Sequence, residues 1–130
     1  MRLLDSSSLF ESLLKRNIEA LSEAHTLDLT RYELGNIVWK KINLLNEISH
    51  EEGQKMMSVI VKTLKNIKTI SISGLESDVL RLAHEESLAF YDAAYIEVAR
   101  RKKLILITED KEMRIVCEKL GYPVASLGEI

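Results

Sequence analysis

The sequence predicts an α/β fold, a three-layer α/β/α sandwich around a central, mainly parallel sheet of four to five strands. Short apolar or β-branched runs alternate along the chain with longer segments of helical hydrophobic spacing, the pattern of a parallel sheet whose crossovers are helices. The run Leu104–Ile107 is continuously apolar, as expected of a strand covered on both faces. Because the 130 residues contain one proline, five glycines and no internal repeat, we expect one domain over residues 1–130 with one compact core.

The first half of the chain contains two strand-to-helix steps. Arg2–Leu4 is predicted as the first strand, and the hydroxyls of Ser6–Ser8 are predicted N-caps of a helix whose apolar positions continue to Ile18. His25–Leu29 is predicted as the second strand. Thr30 is then the expected N-cap of the next helix.

The second half is predicted to contain four helices and three strands. The helices are Glu51–Asn66, Leu75–Glu85, Phe90–Lys102 and Asp110–Leu120. The strands are Lys68–Ile72, Leu104–Ile107 and Pro123–Leu127. Gly121 is expected to end the last helix, and the proline places the last strand at an edge because it has no amide hydrogen to donate.

Four acids, Asp5, Glu33, Asp92 and Asp110, lie where a hydrophobic segment ends or an amphipathic helix begins. Ligands of parallel sheets bind beyond the carboxyl ends of the strands, so we expect these acids to converge there. Carboxylates that close together repel one another unless a hard cation such as Mg²⁺ or Mn²⁺ lies between them. The pattern therefore indicates metal-dependent phosphate chemistry.

Three of these acids also have a structural alternative. Asp5 and Asp110 could cap the helices that follow them, and Glu33 lies three residues after Thr30, the spacing of a capping box. Asp92 differs, because it shares a helix face with apolar residues four and seven positions later and that face carries no lysine or arginine. An ionised carboxylate directed toward a core needs a partner, which favours a functional role for Asp92.

Composition excludes several classes of protein. A net charge of −2 excludes binding to nucleic acid through bulk basicity. The single Cys117 excludes a disulfide framework and indicates a reducing compartment, while the absence of a long apolar run or signal peptide predicts a soluble, cytoplasmic protein. The three histidines, His25, His50 and His84, share no metal-ligand spacing, so we assign them no role.

Four stretches carry a family resemblance, namely MRLLDSSSLFESL, RYELGNIVWK, FYDAAYIEVARRKKLILITEDKEM and KLGYPVASL. Over its whole length the chain resembles PIN-domain nucleases, especially the small VapC-type toxins of prokaryotic toxin–antitoxin pairs. The third stretch is the most specific, because it joins an acid-bearing helix to a buried strand that ends in Thr-x-Asp. One departure is Ala89, which stands where many relatives have serine or threonine three residues before the third acid.

The resemblance implies a PIN-like fold and a divalent-metal-dependent endoribonuclease. By position, it assigns the metal ligands and catalytic acids as Asp5, Glu33, Asp92 and Asp110, and the supporting hydroxyls as Ser6 and Thr108. It further implies Mg²⁺ or Mn²⁺ as cofactor, RNA as substrate, a homodimer, and a small antitoxin protein that blocks the site.

Positively charged residues near the acids are candidates for RNA contacts. They are Lys40, Lys41, Lys111 and Arg114. The more basic run Arg100–Lys103 ends a helix, where cations favour the macrodipole, so it is assigned a structural role. Tyr32, Trp39 and Tyr95 are predicted to be core or interface residues, with base stacking as the alternative.

Other functions are compatible with an acidic α/β domain. A housekeeping RNA-processing nuclease and a catalytically idle interaction module both remain open. A phospho-receiver domain is disfavoured because the chain has one early acid where such domains have a pair, and no lysine within Pro123–Ala125. A dinucleotide-binding fold is weaker still, because no Gly-x-Gly-x-x-Gly follows the first strand.

Overall fold

A computed structural model describes residues 1–130 as five strands and seven α-helices, with a 3₁₀ turn over Leu127–Glu129. The strands are β1 (Arg2–Leu4), β2 (Ala24–Leu27), β3 (Lys68–Ile70), β4 (Ile105–Ile107) and β5 (Val124–Ala125). The helices are α1 (Ser6–Leu14), α2 (Ile18–Leu21), α3 (Leu29–Asn43), α4 (His50–Asn66), α5 (Glu76–Glu86), α6 (Phe90–Lys102) and α7 (Lys111–Leu120). None of these helices has the length and apolar character needed to cross a bilayer.

All five strands are parallel and lie in the order β3-β2-β1-β4-β5. The predicted α/β fold is therefore confirmed, and the last strand lies at an edge as expected. The chain builds outward from β1 to β3 and then crosses back to place β4 on the other side of β1. The strand order thus reverses between β1 and β4, and such a reversal leaves a crevice at the carboxyl edge where ligands of open α/β sheets bind.

The sheet separates two buried clusters, where the sequence predicted one compact core. Successive side chains of a strand point to opposite faces, so Leu3 packs with α5, α6 and α7, whereas Leu4 packs with α1, α3 and α4. Cys117 lies in the first cluster, and burial raises the pKa of its thiol to about 11. The lone cysteine is buried and unpaired, which fits the absence of a disulfide framework.

The first predicted helix is divided in two. Helix α1 ends at Leu14, Arg16 adopts a left-handed conformation with φ of 51°, and Ile18 begins the separate helix α2. The side chain of Asn17 caps α2 by accepting a hydrogen bond from the amide of Ala20, the third residue of that helix. The prediction of one helix continuing to Ile18 was wrong, because apolar spacing alone does not register a single left-handed residue.

The helices of the second half lie close to their predicted bounds. Helix α6 spans Phe90–Lys102 as predicted, and its N-cap residue, Ala89, provides no side-chain hydrogen bond. Helix α7 ends at Leu120, and Gly121 follows as its C-cap with φ of 74°. Helix α4 begins one residue earlier than predicted because Ser49 and Glu52 form a capping box that the pattern analysis missed.

Candidate functional site

The four predicted acids line one cavity at the carboxyl edge of the sheet. The cavity has a volume of about 350 Å³. Its lining residues are Asp5, Ser6, Ser7, Glu33, Asp92, Tyr95, Glu109, Asp110 and Met113. The acids come from four different elements, because β1, α3, α6 and the start of α7 all meet beside the reversal in strand order.

Asp5 is the most enclosed of the four acids, with 7% of its surface exposed. One carboxylate oxygen accepts a hydrogen bond from the amide of Ser8 at 2.9 Å, so Asp5 itself is the N-cap of α1. The other oxygen accepts from the hydroxyl of Thr108 at 2.6 Å. The prediction that Ser6–Ser8 cap this helix was therefore wrong. Burial raises the pKa of Asp5, and these hydrogen bonds oppose the rise.

Thr108 connects the first acid to the last. Its hydroxyl donates to Asp5 and accepts a hydrogen bond from the amide of Asp110 at 3.0 Å. Asp110 in turn caps α7, because one of its carboxylate oxygens accepts from the amide of Met113 at 2.9 Å. Capping and a place in the acidic cavity are thus compatible for Asp5 and Asp110. The hydroxyl of Ser6, the other predicted supporting group, makes no hydrogen bond to an acid.

Asp92 lies in the first turn of α6, half-buried, and forms neither a hydrogen bond nor an ion pair. Burial raises its pKa, and the negative charges of Asp110, Glu33 and Asp5 raise the pKa further. A carboxylate in this position is destabilised when it is ionised. A cation placed in the cavity would relieve that cost.

Glu33 is held differently from the prediction. Helix α3 begins at Leu29 with Asp28 as its N-cap, so Thr30 is buried inside the first turn and the predicted capping box is absent. Instead, the carboxylate of Glu33 accepts a hydrogen bond from the hydroxyl of Tyr95 at 2.6 Å. Burial and this bond raise the pKa of Tyr95 above its usual range, so the phenol stays protonated and donates.

Tyr95 belongs to the site, although no role beside the acids was predicted for it from the sequence. It was predicted as core or interface, and its ring is indeed buried, but its hydroxyl reaches the acidic cavity. A signal was present in the sequence, because Tyr95 lies three residues after Asp92 and therefore on the same face of α6.

The donor set of the cavity fits a hard divalent cation. No lysine, arginine or histidine lines it, and none of the four acids takes part in an ion pair. As the side chains lie here, no three of them form a group that encloses one ion. Magnesium commonly uses only one or two carboxylates and keeps several waters, so an open cavity lined by carboxylate oxygens suits it.

A second cleft adjoins the acids and shares Ser6, Ser7 and Glu33 with the first cavity. It has a volume of about 450 Å³. Its other lining residues are Leu29, Tyr32, Asn36, Ile37, Lys40 and Tyr91. Tyr32 and Tyr91 are 78% and 58% exposed, so these two rings are not core residues. The cleft therefore offers aromatic faces, an amide and one ammonium group directly beside the carboxylates.

The four predicted RNA-contacting cations lie in different surroundings. Lys40 lines the second cleft and, like Lys111 at the start of α7, forms no ion pair. Lys41 pairs with Glu47 at 3.1 Å. Arg114 forms a bidentate pair with Glu129, with N–O distances of 2.6 and 3.2 Å, and also bonds Glu118. Lys40 and Lys111 are thus the cations of this set whose charge the protein leaves uncompensated.

An all-parallel sheet with four carboxylates at its reversal point, none of them in an ion pair, makes this chain an α/β protein with an acidic site at the carboxyl edge of its sheet. The PIN domain family model matches residues 1–119. The chain belongs to the PIN domain family.

Relatives support the same assignment. The chain is 37% identical over 87 residues to "Exonuclease VapC9" of Pyrobaculum aerophilum, a match covering 67% of this chain and 62% of that protein. It is 32% identical over 101 residues to "Ribonuclease VapC3" of the same organism, covering 76% of this chain and 75% of the relative. The match thus spans less than two thirds of the first relative and three quarters of the second. The resemblance to VapC-type PIN domains is confirmed.

Solved structures share the architecture. The protein PAE2754 of Pyrobaculum aerophilum superposes with a TM-score of 0.79 at 29% identity, covering 98% of this chain and 91% of that one. A chain from a toxin–antitoxin complex of Klebsiella pneumoniae gives a TM-score of 0.63 at 20% identity, covering 85% and 87%. The second similarity shows the fold alone.

Proposed function

We propose that this protein is a divalent-metal-dependent endoribonuclease and the toxin of a VapBC-type toxin–antitoxin pair, acting in the cytoplasm. The observation that carries the proposal is the absence of any cationic partner for the four carboxylates, above all for Asp92. A protein that keeps this cost in its folded state has a site suited to an added cation. The names of the two curated relatives support nuclease activity.

Asp5, Glu33, Asp92 and Asp110 are the residues that would hold Mg²⁺ or Mn²⁺. When bound, such an ion lowers the pKa of a water and neutralises negative charge on a phosphate. The chain's own contribution is to fix the ligands. Thr108 and the amide of Ser8 orient both oxygens of Asp5, whereas the amide of Met113 occupies one oxygen of Asp110.

The second cleft supports RNA as the substrate. Tyr32 and Tyr91 present exposed rings on which unpaired bases can stack, and stacking contributes about 1–3 kcal/mol per base. Lys40 supplies a positive charge for the phosphate backbone beside the acids. These features favour a single-stranded region of RNA, because bases in a duplex are already stacked and cannot reach aromatic side chains.

The activity is tested with a circular, internally labelled RNA incubated with the purified, metal-free chain and added Mn²⁺. An endoribonuclease linearises the circle, whereas an exonuclease leaves it intact. We expect cleavage by wild type, none after chelation, and none by Asp92→Asn. A folded wild-type protein that cleaves neither circular nor linear RNA with either metal would leave only a catalytically idle interaction module.

The toxin role is tested by induced expression. We expect growth arrest with wild type, normal growth with Asp92→Asn, and rescue when a small antitoxin encoded beside the gene is co-expressed. Normal growth under an expressed, active wild-type protein would indicate a housekeeping RNA-processing nuclease instead. We also propose that the chain forms the homodimer that the resemblance to VapC-type toxins implies. Size-exclusion chromatography of the purified chain, alone and with that antitoxin, tests the homodimer and the complex.

A further inference from the structure

We infer that Tyr95 is the positioning residue for Glu33, holding this carboxylate at the acidic cavity through the hydrogen bond that its buried hydroxyl donates. The inference rests on the proposed function, because it takes Glu33 as a member of the metal site. It concerns a residue that contacts an acid of the site without belonging to the carboxylate set.

The chain of hydroxyls consists of four short contacts. The hydroxyl of Tyr95 lies 2.6 Å from Glu33 and 2.6 Å from the hydroxyl of Thr30. Thr30 lies 2.6 Å from the hydroxyl of Thr26, which donates to the carbonyl of Leu4 at 2.7 Å. This row of hydroxyl groups therefore connects α6 and α3 to β2 and β1. It ends at the carbonyl of Leu4, the residue directly before Asp5.

Four contacts require four hydrogens, and the three hydroxyls supply three. With Glu33 ionised, the hydrogen of Tyr95 is committed to its carboxylate and that of Thr26 to a carbonyl oxygen, because these oxygens can then only accept. The single hydrogen of Thr30 can serve Thr26 or Tyr95 but not both. In that state one of the two contacts of Thr30 therefore has no hydrogen.

Because the network is one hydrogen short, one hydroxyl can be removed from it without leaving the remaining hydroxyls unsatisfied. Removing only its hydroxyl leaves two contacts, Thr30 to Thr26 and Thr26 to Leu4, with two hydrogens to satisfy them. Removing only the hydroxyl of Thr30 leaves Thr26 bound to Leu4 and Tyr95 bound to Glu33, again with two hydrogens. Neither change leaves a buried hydroxyl hydrogen without an acceptor. Removing the Tyr95 hydroxyl does take the donor away from Glu33, but this carboxylate lines the open cavity, where water can replace the lost hydrogen bond.

The ring of Tyr95 makes it a rigid support. It is 2% exposed within the core cluster between the sheet and the α5–α7 layer, and it shares α6 with Asp92. Glu33 needs such a support because its protein hydrogen bond comes from Tyr95, whereas Asp5 and Asp110 are each fixed by a backbone amide. Without the phenol, the long side chain of Glu33 would sample several rotamers, and a metal would have to pay that ordering entropy on binding.

The test measures Mn²⁺ binding to the metal-free, full-length protein by loss of the electron paramagnetic resonance signal of free Mn²⁺. The variants are Tyr95→Phe, Thr30→Val as the matched control, Glu33→Ala, and Glu33→Ala with Tyr95→Phe. We expect Tyr95→Phe to weaken binding roughly tenfold or more, since partners that orient metal ligands commonly contribute 10–100-fold. Thr30→Val should bind like wild type, and the double variant should bind like Glu33→Ala. Thermal melting of each variant confirms that it is folded.

The outcomes separate this inference from the proposed function. If wild type binds no Mn²⁺, both the metal-dependent function and this inference fail. If wild type binds Mn²⁺ and Glu33→Ala binds it as tightly, Glu33 has no place in the metal site and the inference fails alone. If Glu33→Ala weakens binding and Tyr95→Phe does not, only the inference fails. It also fails if Tyr95→Phe weakens binding further in the Glu33→Ala background, because Tyr95 would then act independently of Glu33. Equal losses for Thr30→Val and Tyr95→Phe would assign the effect to Thr30 and overturn the role given to Tyr95.

Discussion

Helix α6 carries two acids that differ in their partners, namely Asp92 in its first turn and Glu97 five residues later. Glu97 is the more buried, at 4% exposed, yet one of its oxygens accepts hydrogen bonds from both Arg100 and Arg101. Asp92 has no such partner, and its pKa is raised by burial and by neighbouring carboxylates. A buried charge needs compensation, and Glu97 receives it within the protein. Asp92 receives none, which supports the proposal that a bound cation supplies it.

Arg100 and Arg101, the first two residues of the basic run Arg100–Lys103, have a structural role as predicted, but through a contact that was not predicted. Arg100 and Arg101 were assigned to the helix macrodipole, whereas the structure shows them bound to Glu97, with Arg101 also 2.7 Å from Asp78 on α5. The pair between Arg101 and Asp78 therefore joins α6 to α5.

The largest expected effect is on RNA cleavage by two matched amide variants. Asp92→Asn should lower the cleavage rate at saturating Mn²⁺ by more than about 100-fold, because a metal contributes several kcal/mol and each 1.36 kcal/mol is tenfold. Glu97→Gln should cleave at the wild-type rate per folded molecule. Initial rates on a labelled single-stranded RNA measure both, and equal losses in the two variants would remove the functional distinction between these acids.

The free energy of unfolding should rank these two variants in the opposite order, with Glu97→Gln the more affected. Glu97→Gln should lower the free energy of unfolding by about 1–3 kcal/mol, because it removes a charge that two arginine hydrogen bonds satisfy. Asp92→Asn should leave the metal-free protein at least as stable as wild type. Urea denaturation in the presence of a chelator compares them, and a destabilised Asp92→Asn would mean that this carboxylate has an internal partner after all.

The same contrast between paired and unpaired groups applies to the cations. Lys40→Ala should weaken RNA binding and reduce the slope of log affinity against log salt by about one unit, as expected for one lost phosphate contact. Arg114→Ala should leave the slope unchanged, because its charge is already neutralised by Glu129 and Glu118, and the pKa of Glu129 is lowered to about 2 by that arginine. Binding to a short RNA measured over a range of salt concentrations tests both variants. An equal loss of slope in the two would show that Arg114 contacts phosphate despite its ion pairs.

The smallest expected effect is on the pH dependence of stability without metal. The pKa of Asp92 is raised in the folded state, so the folded protein binds a proton at this carboxyl more readily than the unfolded chain does. The resulting contribution to the free energy of unfolding is fully present below the ordinary pKa of 3.8 and is lost as the pH rises through the raised value. Wild type should therefore lose stability relative to Asp92→Asn as the pH rises from about 3.5 to 7. Urea midpoints across that range measure the difference, and parallel curves would contradict a raised pKa.

Local signals predicted much of the fold and less of the site. The bounds of β1 and α6 were correct because strand length, helical spacing and flanking residues agree there. The start of α3 was misplaced because Asp28 and Thr30 are both good caps two residues apart, and the choice between them depends on where β2 ends. Local propensity cannot distinguish such neighbours when tertiary contacts decide.

The partners of the acids were the least predictable part. The bond between Tyr95 and Glu33 joins residues 62 positions apart, so no local pattern contains it. The ion pairs of Glu97 could have been found, because Arg100 and Arg101 follow at the i+3 and i+4 spacings that face each other on a helix. Placement of the four acids at one edge followed from topology, whereas the hydroxyls that orient them depend on side-chain packing.

The hydrogen bond between Thr108 and Asp5 also bears on when the site can form during synthesis. It joins residues 103 positions apart, so it can form only after β4 has docked beside β1. During synthesis, Asp5 therefore lacks the hydroxyl that orients its second oxygen until the chain has been made at least as far as Thr108 and β4 has paired with β1.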